Sequence, residues 1–510
     1  MTERKKIFMN LLAGALAFST GVLVNFLLTP YLVERLGAAA YGFVAIANDF
    51  IAYVSIITMA LNSMAGRFIT IAFHQNKIQM AKEYYSSTIA ANAIMAAFIF
   101  MLAIPLIVFL ENILQIPVEL LLDVKLLFLF NLVNFLVAIV FSSWGTGYVI
   151  CNQLYLSSVV QMKANALRLC VLLCLFGFFS AHIAYMGLGA LASTLLNRLY
   201  DKYYQNKLVP ELNFSLSCMK WQRLKEITLS GIWSTITRIG EVMSRNLDLL
   251  LVNMFLSPAD MGTLAITKIV PNFLTMVTGM MAGIYMPAYL ELFAKQEMDK
   301  LVNSIKEGMR VFSLVLSMPL VVFLSLGREF FCLWVPSQNA DILYWLSVLS
   351  LLAILIIGPV AMMHNVFTVV NKVKTNSLLV VLTGVFNTVG GYFMLRYTEW
   401  GLWGLVTLTA GLCLVRNLCY TVPYSARYIG RPMITFFPLL IRACSTVIIL
   451  GCLLKYCFSM IIIDNYFTFF FAALAVSIIS AVTQLLFVFS ATERRGFCSI
   501  LKKKIMIKFN

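Results

Sequence analysis

Apolar windows of about 20 residues, the length a helix needs to cross roughly 30 Å of hydrocarbon, recur along this chain between short polar turns. In the first half they fall near residues 7–28, 41–64, 86–110, 126–150, 163–180 and 183–200. The second half repeats the spacing at 230–256, 262–290, 311–331, 342–370, 376–395 and 400–420, and two further windows follow at 435–456 and 466–490. The pattern predicts an all-α polytopic membrane protein of about fourteen transmembrane helices. The chain opens with Arg4, Lys5 and Lys6 before an apolar run, as a secretory leader does. That run continues to about Leu28 without an A-x-A cleavage site, so a retained first helix is expected.

Composition supports the bilayer as the main solvent. Of 510 residues, 61% are hydrophobic and 12% charged, against about a quarter charged in soluble domains. A single soluble core stops growing near roughly 250 to 300 residues and has no room for so much apolar side chain. The formal net charge of +16 is spread in short Lys and Arg clusters between apolar runs, which argues for membrane orientation and against a nucleic-acid partner. With the N-terminus inside, roughly 29 of the 38 Lys and Arg residues fall on the cytoplasmic side and only about five (Arg35, Lys125, Arg328, Arg396, Lys455) on the other. Four more, Arg238, Arg245, Lys268 and Arg442, fall inside spans. The expected location is a bacterial inner (plasma) membrane with both termini cytoplasmic. The 11 cysteines lack zinc or redox CxxC spacing and read as packing residues.

An internal match appears at an offset of 220 residues. LGAAAYGFVAI, residues 36–46, lies over LSPADMGTLAI, residues 256–266, with Leu36/Leu256, Ala39/Ala259, Gly42/Gly262, Ala45/Ala265 and Ile46/Ile266 identical. Both segments fall in the outer loop after the first span of a six-span set, so the expectation is a parallel repeat, as transporters built from related bundles have. The expected organisation is an N-terminal lobe at 1–205, a cytoplasmic linker at 206–228, a C-terminal lobe at 229–425, and two last spans with a basic tail at 426–510. The linker, with Lys202, Lys207, Lys220, Arg223 and Lys225 in or beside it, reads as a solvated connection or as a contact for anionic lipid or a glycosyltransferase.

The stretches NFLLTPYLVERLGAAAYGFVAIAND and NLDLLLVNMFLSPADMGTLAITKI, with the fourteen-span plan, resemble the multidrug/oligosaccharidyl-lipid/polysaccharide (MOP) exporter superfamily, and within it the polysaccharide-export branch of Wzx-type O-antigen and capsule flippases. The resemblance implies a V-shaped pair of six-helix lobes around a cavity, two appended C-terminal helices, and alternating access without ATP hydrolysis. It also implies a substrate: undecaprenyl-pyrophosphate-linked oligosaccharide repeat units, carried to the outer leaflet, with a glycan polymerase or glycosyltransferases as partners.

The strongest local signal in the residues is in span seven. Arg238, Glu241, Arg245 and Asp248 follow one another by three, four and three, which confines them to a stripe about 80° wide. Each charge costs roughly 2.5 to 3.5 kcal/mol at a helix centre facing lipid, so the stripe is expected to face protein or water. Either Arg238 and Arg245 take a diphosphate while Glu241 and Asp248 tune them or hold a coupling cation, or the four form an ion-pair network that fixes packing. Asn48 and Asp49 in span two and Lys268 in span eight form a second group. Lys268 suits an anionic head group and Asp49 a proton or sodium site, or the two bridge the lobes. Asn25 is a polar position in span one that suits sugar hydroxyls or a neighbouring helix.

The sequence holds no G-x-x-x-x-G-K-[ST], H-E-x-x-H or G-x-S-x-G signature, so no nucleotide, metal or other cofactor and no catalytic group is expected. The functional expectation is a transporter, not an enzyme: a lipid-linked oligosaccharide flippase first, then a cation-coupled multidrug or small-molecule exporter of the same superfamily, and last a membrane polysaccharide polymerase or ligase.

Overall fold

The computed structural model describes residues 3–458, 461, 463–489 and 494, with side chains from residue 9 onward except residue 11. The expected basic tail, including Lys502, Lys503 and Lys504, lies outside the described residues. Every extended element among them is helical, as apolar windows in hydrocarbon require, because a helix satisfies its backbone groups within one segment. The helices are α1 (Glu3–His74), α2 (Ile78–Val108), α3 (Leu121–Val140), α4 (Thr146–Ile150), α5 (Leu154–Phe178), α6 (Ala184–Leu208), α7 (Trp221–Arg245), α8 (Leu247–Phe255) and α9 (Pro258–Thr267). Then come α10 (Ile269–Ala294), α11 (Met298–Trp334), α12 (Ala340–Val369), α13 (Val373–Tyr397), α14 (Gly401–Arg416), α15 (Val422–Tyr428), α16 (Phe437–Phe458) and α17 (Tyr466–Phe487). A π-helical turn, Asn417–Thr421, joins α14 to α15.

Eleven of the described helical stretches are long and apolar enough to cross a membrane. The first of them contains two of the expected spans, because α1 runs through the loop between them and breaks at one residue, Gly37 (φ 86, ψ 165). Only glycine reaches that backbone conformation without strain. Two expected spans fall short on hydropathy and still fold as helices: α6, and the α7–α8 pair that carries the charged stripe. The fourteen windows thus each have a helix.

Local geometry recurs at the sequence offset. Helices end at His74 and Ala294 and restart at Ile78 and Met298. Between them Asn76 and Gln296 hold left-handed conformations of φ 58 and 59, and Lys77 and Glu297 donate backbone N–H bonds to Ala72 and Leu292, each at 3.0 Å. A further left-handed pair, Asn152 (φ 50) and Asn371 (φ 56), closes α4 and α12 one residue short of that offset.

The chain forms two compact units. One holds Met1–Ile266 with Val380–Glu399, the other Thr267–Leu379 with Trp400–Asn510. Contacts therefore cross the 206–228 boundary: α7 packs along α1 within the first unit, and the end of α13 packs with α7 and α8. In the second unit α11 is the centre, flanked by α12, α16 and α17, with Phe312, Phe331 and Leu326 fully buried.

Candidate functional site

The best-defined candidate site lies in the first unit, where residues 38–74 of α1 run beside α7, α8 and α9. Small residues bring these backbones together at both ends. A Cβ on Gly231 would stand 1.8 Å from the Ala60 carbonyl oxygen, and one on Gly262 would stand 2.0 Å from that of Ala38. Gly42, the repeat mate of Gly262, would place its Cβ 2.9 Å from the Gly262 Cα. The two repeat-matched glycines thus touch one another. Between these contacts sits a polar node: Asn246 donates through Nδ2 to Asp49, and Tyr53 Oη donates to the Asn246 carbonyl at 2.7 Å.

Asn246 also interrupts the stripe read from the sequence, since α7 ends at Arg245 and α8 starts at Leu247. The four charges divide accordingly. Arg238 Nη1 pairs with Glu241 Oε2 at 3.4 Å, with side chains 28% and 51% accessible. Arg245 is exposed. Asp248 is only 2% accessible and accepts from Asn387 Nδ2 at 3.1 Å, while the same amide reaches the Ser244 carbonyl at 3.2 Å. Gly240 and Gly384 permit this approach of α13, whose backbone lies 2.5 Å from a Cβ built on Gly240.

The accessible charges face away from the apolar surface. On α7 the midpoint of the exposed Leu229 and Ile232 lies about 150 to 170° around the helix from Arg238, Glu241 and Arg245. On α1 the exposed Leu12, Leu16, Leu23 and Leu27 share an arc of about 60°, and Asn25, also exposed, lies about 170° from its centre. Residues this apolar and this exposed are the surface a bilayer covers. The accessible polar groups of these two helices lie away from that apolar surface. Asn48 is exposed beside the half-buried Asp49. Lys268, half-buried, stands at the junction of α9 and α10 and belongs to the second unit.

One residue sequence reading missed is Arg168. The window at 163–180 places it near the cytoplasmic end of span five, but α5 starts at Leu154, which leaves Arg168 about 15 Å from the Phe178 end, near mid-bilayer. Its guanidinium Nη2 donates to Asn25 Oδ1 at 3.2 Å, and its Nε is buried with no hydrogen-bond partner among the described residues. The turn residues at 151–153 were the signal that the helix begins there.

The expected solvated linker is instead docked. Val209 and Leu212 are 0% and 1% accessible and pack with Leu224, Ile227, Tyr84 and Tyr85. Glu83, its side chain 5% accessible, pairs with Lys220 and with Arg223 Nε at 3.0 Å. Tyr84 Oη donates to Glu226 Oε2 at 2.6 Å, and the Arg223 guanidinium lies 5.2 Å over the Tyr84 ring. The Tyr84 hydroxyl is the largest influence on the Glu226 carboxyl; against the opposing effect of desolvation, it and Arg223 together hold that carboxyl below the usual carboxylate range. The residues that keep the loop from solvent are apolar positions spaced too sparsely to read as a helix face.

No protein-family model matches the chain. A curated protein of Bacillus subtilis (strain 168), described as "Uncharacterized membrane protein EpsK", is 26% identical over 492 residues, 96% of this chain and 97% of that one. Among solved structures, an inward-facing multidrug resistance MATE family transporter of the MOP superfamily is similar with a TM-score of 0.63 at 13% identity, covering 81% of this chain and 94% of that chain. The lipid II flippase MurJ in an inward closed conformation also gives 0.63, at 12% identity, covering 94% and 98%. The likeness is one of fold, and the fold is that of MOP-superfamily transporters.

Proposed function

We propose that this chain is a flippase that moves undecaprenyl-pyrophosphate-linked oligosaccharide repeat units across a bacterial inner membrane by alternating access, without acting as an enzyme. The single observation that carries this reading is the accessible Arg238–Glu241–Arg245 face of α7, turned away from the exposed apolar stripe of its own helix. Intramembrane charge of this kind is retained where water or a polar cargo meets it. Arginine suits a diphosphate because its planar fork donates paired hydrogen bonds to phosphate oxygens. Asn25 and Asn48, both exposed, suit sugar hydroxyls. Lys268, described with the second unit, is kept as a separate phosphate contact. MurJ, which shares the fold, is a flippase of lipid II, and a lipid-linked cargo is the reading that uses the basic residues.

Asp49 and Asp248 take the coupling role, for a proton or sodium ion, because both are withdrawn from the accessible face and hydrogen-bonded to Asn246 and Asn387. Glu241, exposed beside Arg238, tunes the local charge. The repeat lobes 1–205 and 229–425 are the bodies that move. Gradient coupling through carboxylates also fits the second reading, a cation-coupled exporter of drugs or small molecules, which the fold shared with a multidrug resistance transporter favours. A polymerase or ligase role is the least favoured.

Deletion of the gene separates these readings. The flippase reading expects lipid-linked intermediates to accumulate, with Arg245→Ala failing to restore normal glycan. Normal glycan together with heightened drug sensitivity would contradict it and favour export.

A further inference from the structure

Arg168 is a cation deep in the first unit that has no carboxylate partner among the described residues. It stands about 15 Å from the end of a helix that crosses roughly 30 Å of hydrocarbon, too deep for its side chain to reach either interface easily. The contact that holds it is a neutral amide, Asn25 Oδ1 at 3.2 Å, and its Nε is buried without a partner. An unneutralised charge at this depth is unfavourable if it faces lipid. The lipid, however, is on the other side of the helix: Cys170, Leu173 and Cys174 are exposed and centre about 165° around α5 from Arg168. Asn25 likewise lies opposite the exposed leucines of α1. Two helices therefore hold one partly buried guanidinium and one exposed amide, hydrogen-bonded together, on the sides of α5 and α1 that lie away from the exposed apolar residues. Asn165 fixes the register of this pair, donating from Nδ2 to the Ala17 carbonyl (3.2 Å) and to Thr20 Oγ1 (3.0 Å) one turn away. Asn25 holds the fork by an oxygen acceptor, which leaves other guanidinium N–H groups for an incoming anion.

We infer that Arg168, oriented by Asn25, is a diphosphate-binding residue for the anionic head of an isoprenoid-linked cargo, separate from the arginines of α7. This rests on the flippase reading and adds to it a residue on a helix that reading does not use. The pairing favours a diphosphate over a sugar because the unfilled need at the pair is for negative charge. A planar fork with free N–H groups binds phosphate oxygens in pairs, which a lysine does not reproduce.

The test uses the full chain in nanodiscs, with geranylgeranyl diphosphate as probe and geranylgeraniol, inorganic pyrophosphate and phosphatidylglycerol as comparisons, read by intrinsic tryptophan fluorescence. Wild type is expected to bind the diphosphate and not the alcohol, with inorganic pyrophosphate competing. Arg168→Gln is expected to weaken binding at least tenfold and Arg168→Lys by less. Asn25→Asp keeps the arginine but supplies its missing counter-charge, and is expected to lose binding as Arg168→Gln does while eluting as a folded monodisperse protein. Wild-type affinity in both Arg168→Gln and Asn25→Asp overturns the inference and leaves the flippase reading standing. No diphosphate binding by wild type overturns the flippase reading itself. Equal binding of phosphatidylglycerol, lost in Arg168→Gln, makes Arg168 a general lipid contact and also overturns the inference.

Discussion

At the residue scale the seam between α1 and α7 depends on glycines, whose missing Cβ lets backbones meet. Adding a methyl group at Gly231 or Gly262 forces it within 2.0 Å or less of a carbonyl oxygen, which only a main-chain shift can relieve. Gly231→Ala and Gly262→Ala are each expected to lose about 1 to 3 kcal/mol, the usual range for overpacking, seen as a lower Tm in detergent. Gly283→Ala, with nothing within 4 Å of the new Cβ, should melt as wild type. Asp248→Ala removes an acceptor of the buried Asn387 amide and is expected to destabilise by a further about 1 to 3 kcal/mol. The sequence stripe of four charges was legible as types and spacing. Its division was not, because the interruption at Asn246 and the approach of α13 through Gly240 and Gly384 arise from tertiary packing, which helical periodicity does not encode.

At the element scale, the stretch from Val209 to Ile227 is a docked latch. Its acid response follows from Glu226. A carboxyl held below its ordinary value contributes stability that is present above the unfolded pKa, about 4.3, and is lost as pH falls through the lower folded value. Protection of residues 209–227 against hydrogen exchange is therefore expected to be flat from pH 7 to about 5 and to fall in stronger acid. Glu226→Gln should shrink that fall, and an unchanged profile in the variant would remove Glu226 as its source. Spans themselves were readable because a 20-residue apolar window has one structural outcome in hydrocarbon. Their ends were less so. The start of α5 at Leu154, about nine residues before the apolar window, is polar enough to resemble loop, and this hid the depth of Arg168.

At the scale of the whole molecule, the offset read from a few Leu, Ala and Gly matches also separates two turns of like geometry, at Asn76 and Gln296, and the matched Gly42 and Gly262 lie in contact. What composition and spacing did not encode is which helices share a unit, because α7 and the end of α13 join the first six spans through contacts distant in sequence. The transport reading depends on one property of this arrangement: the charged face of α7 meets water within the membrane. The direct measurement is labelling by a membrane-impermeant charged maleimide of single cysteines at 241, 245, 229 and 232, in a protein from which the 11 native cysteines have been removed. Positions 241 and 245 are expected to label and 229 and 232 to stay unlabelled. Labelling absent at 241 and 245 under every condition of substrate and gradient would make the α7 charges an inert seam and contradict the account.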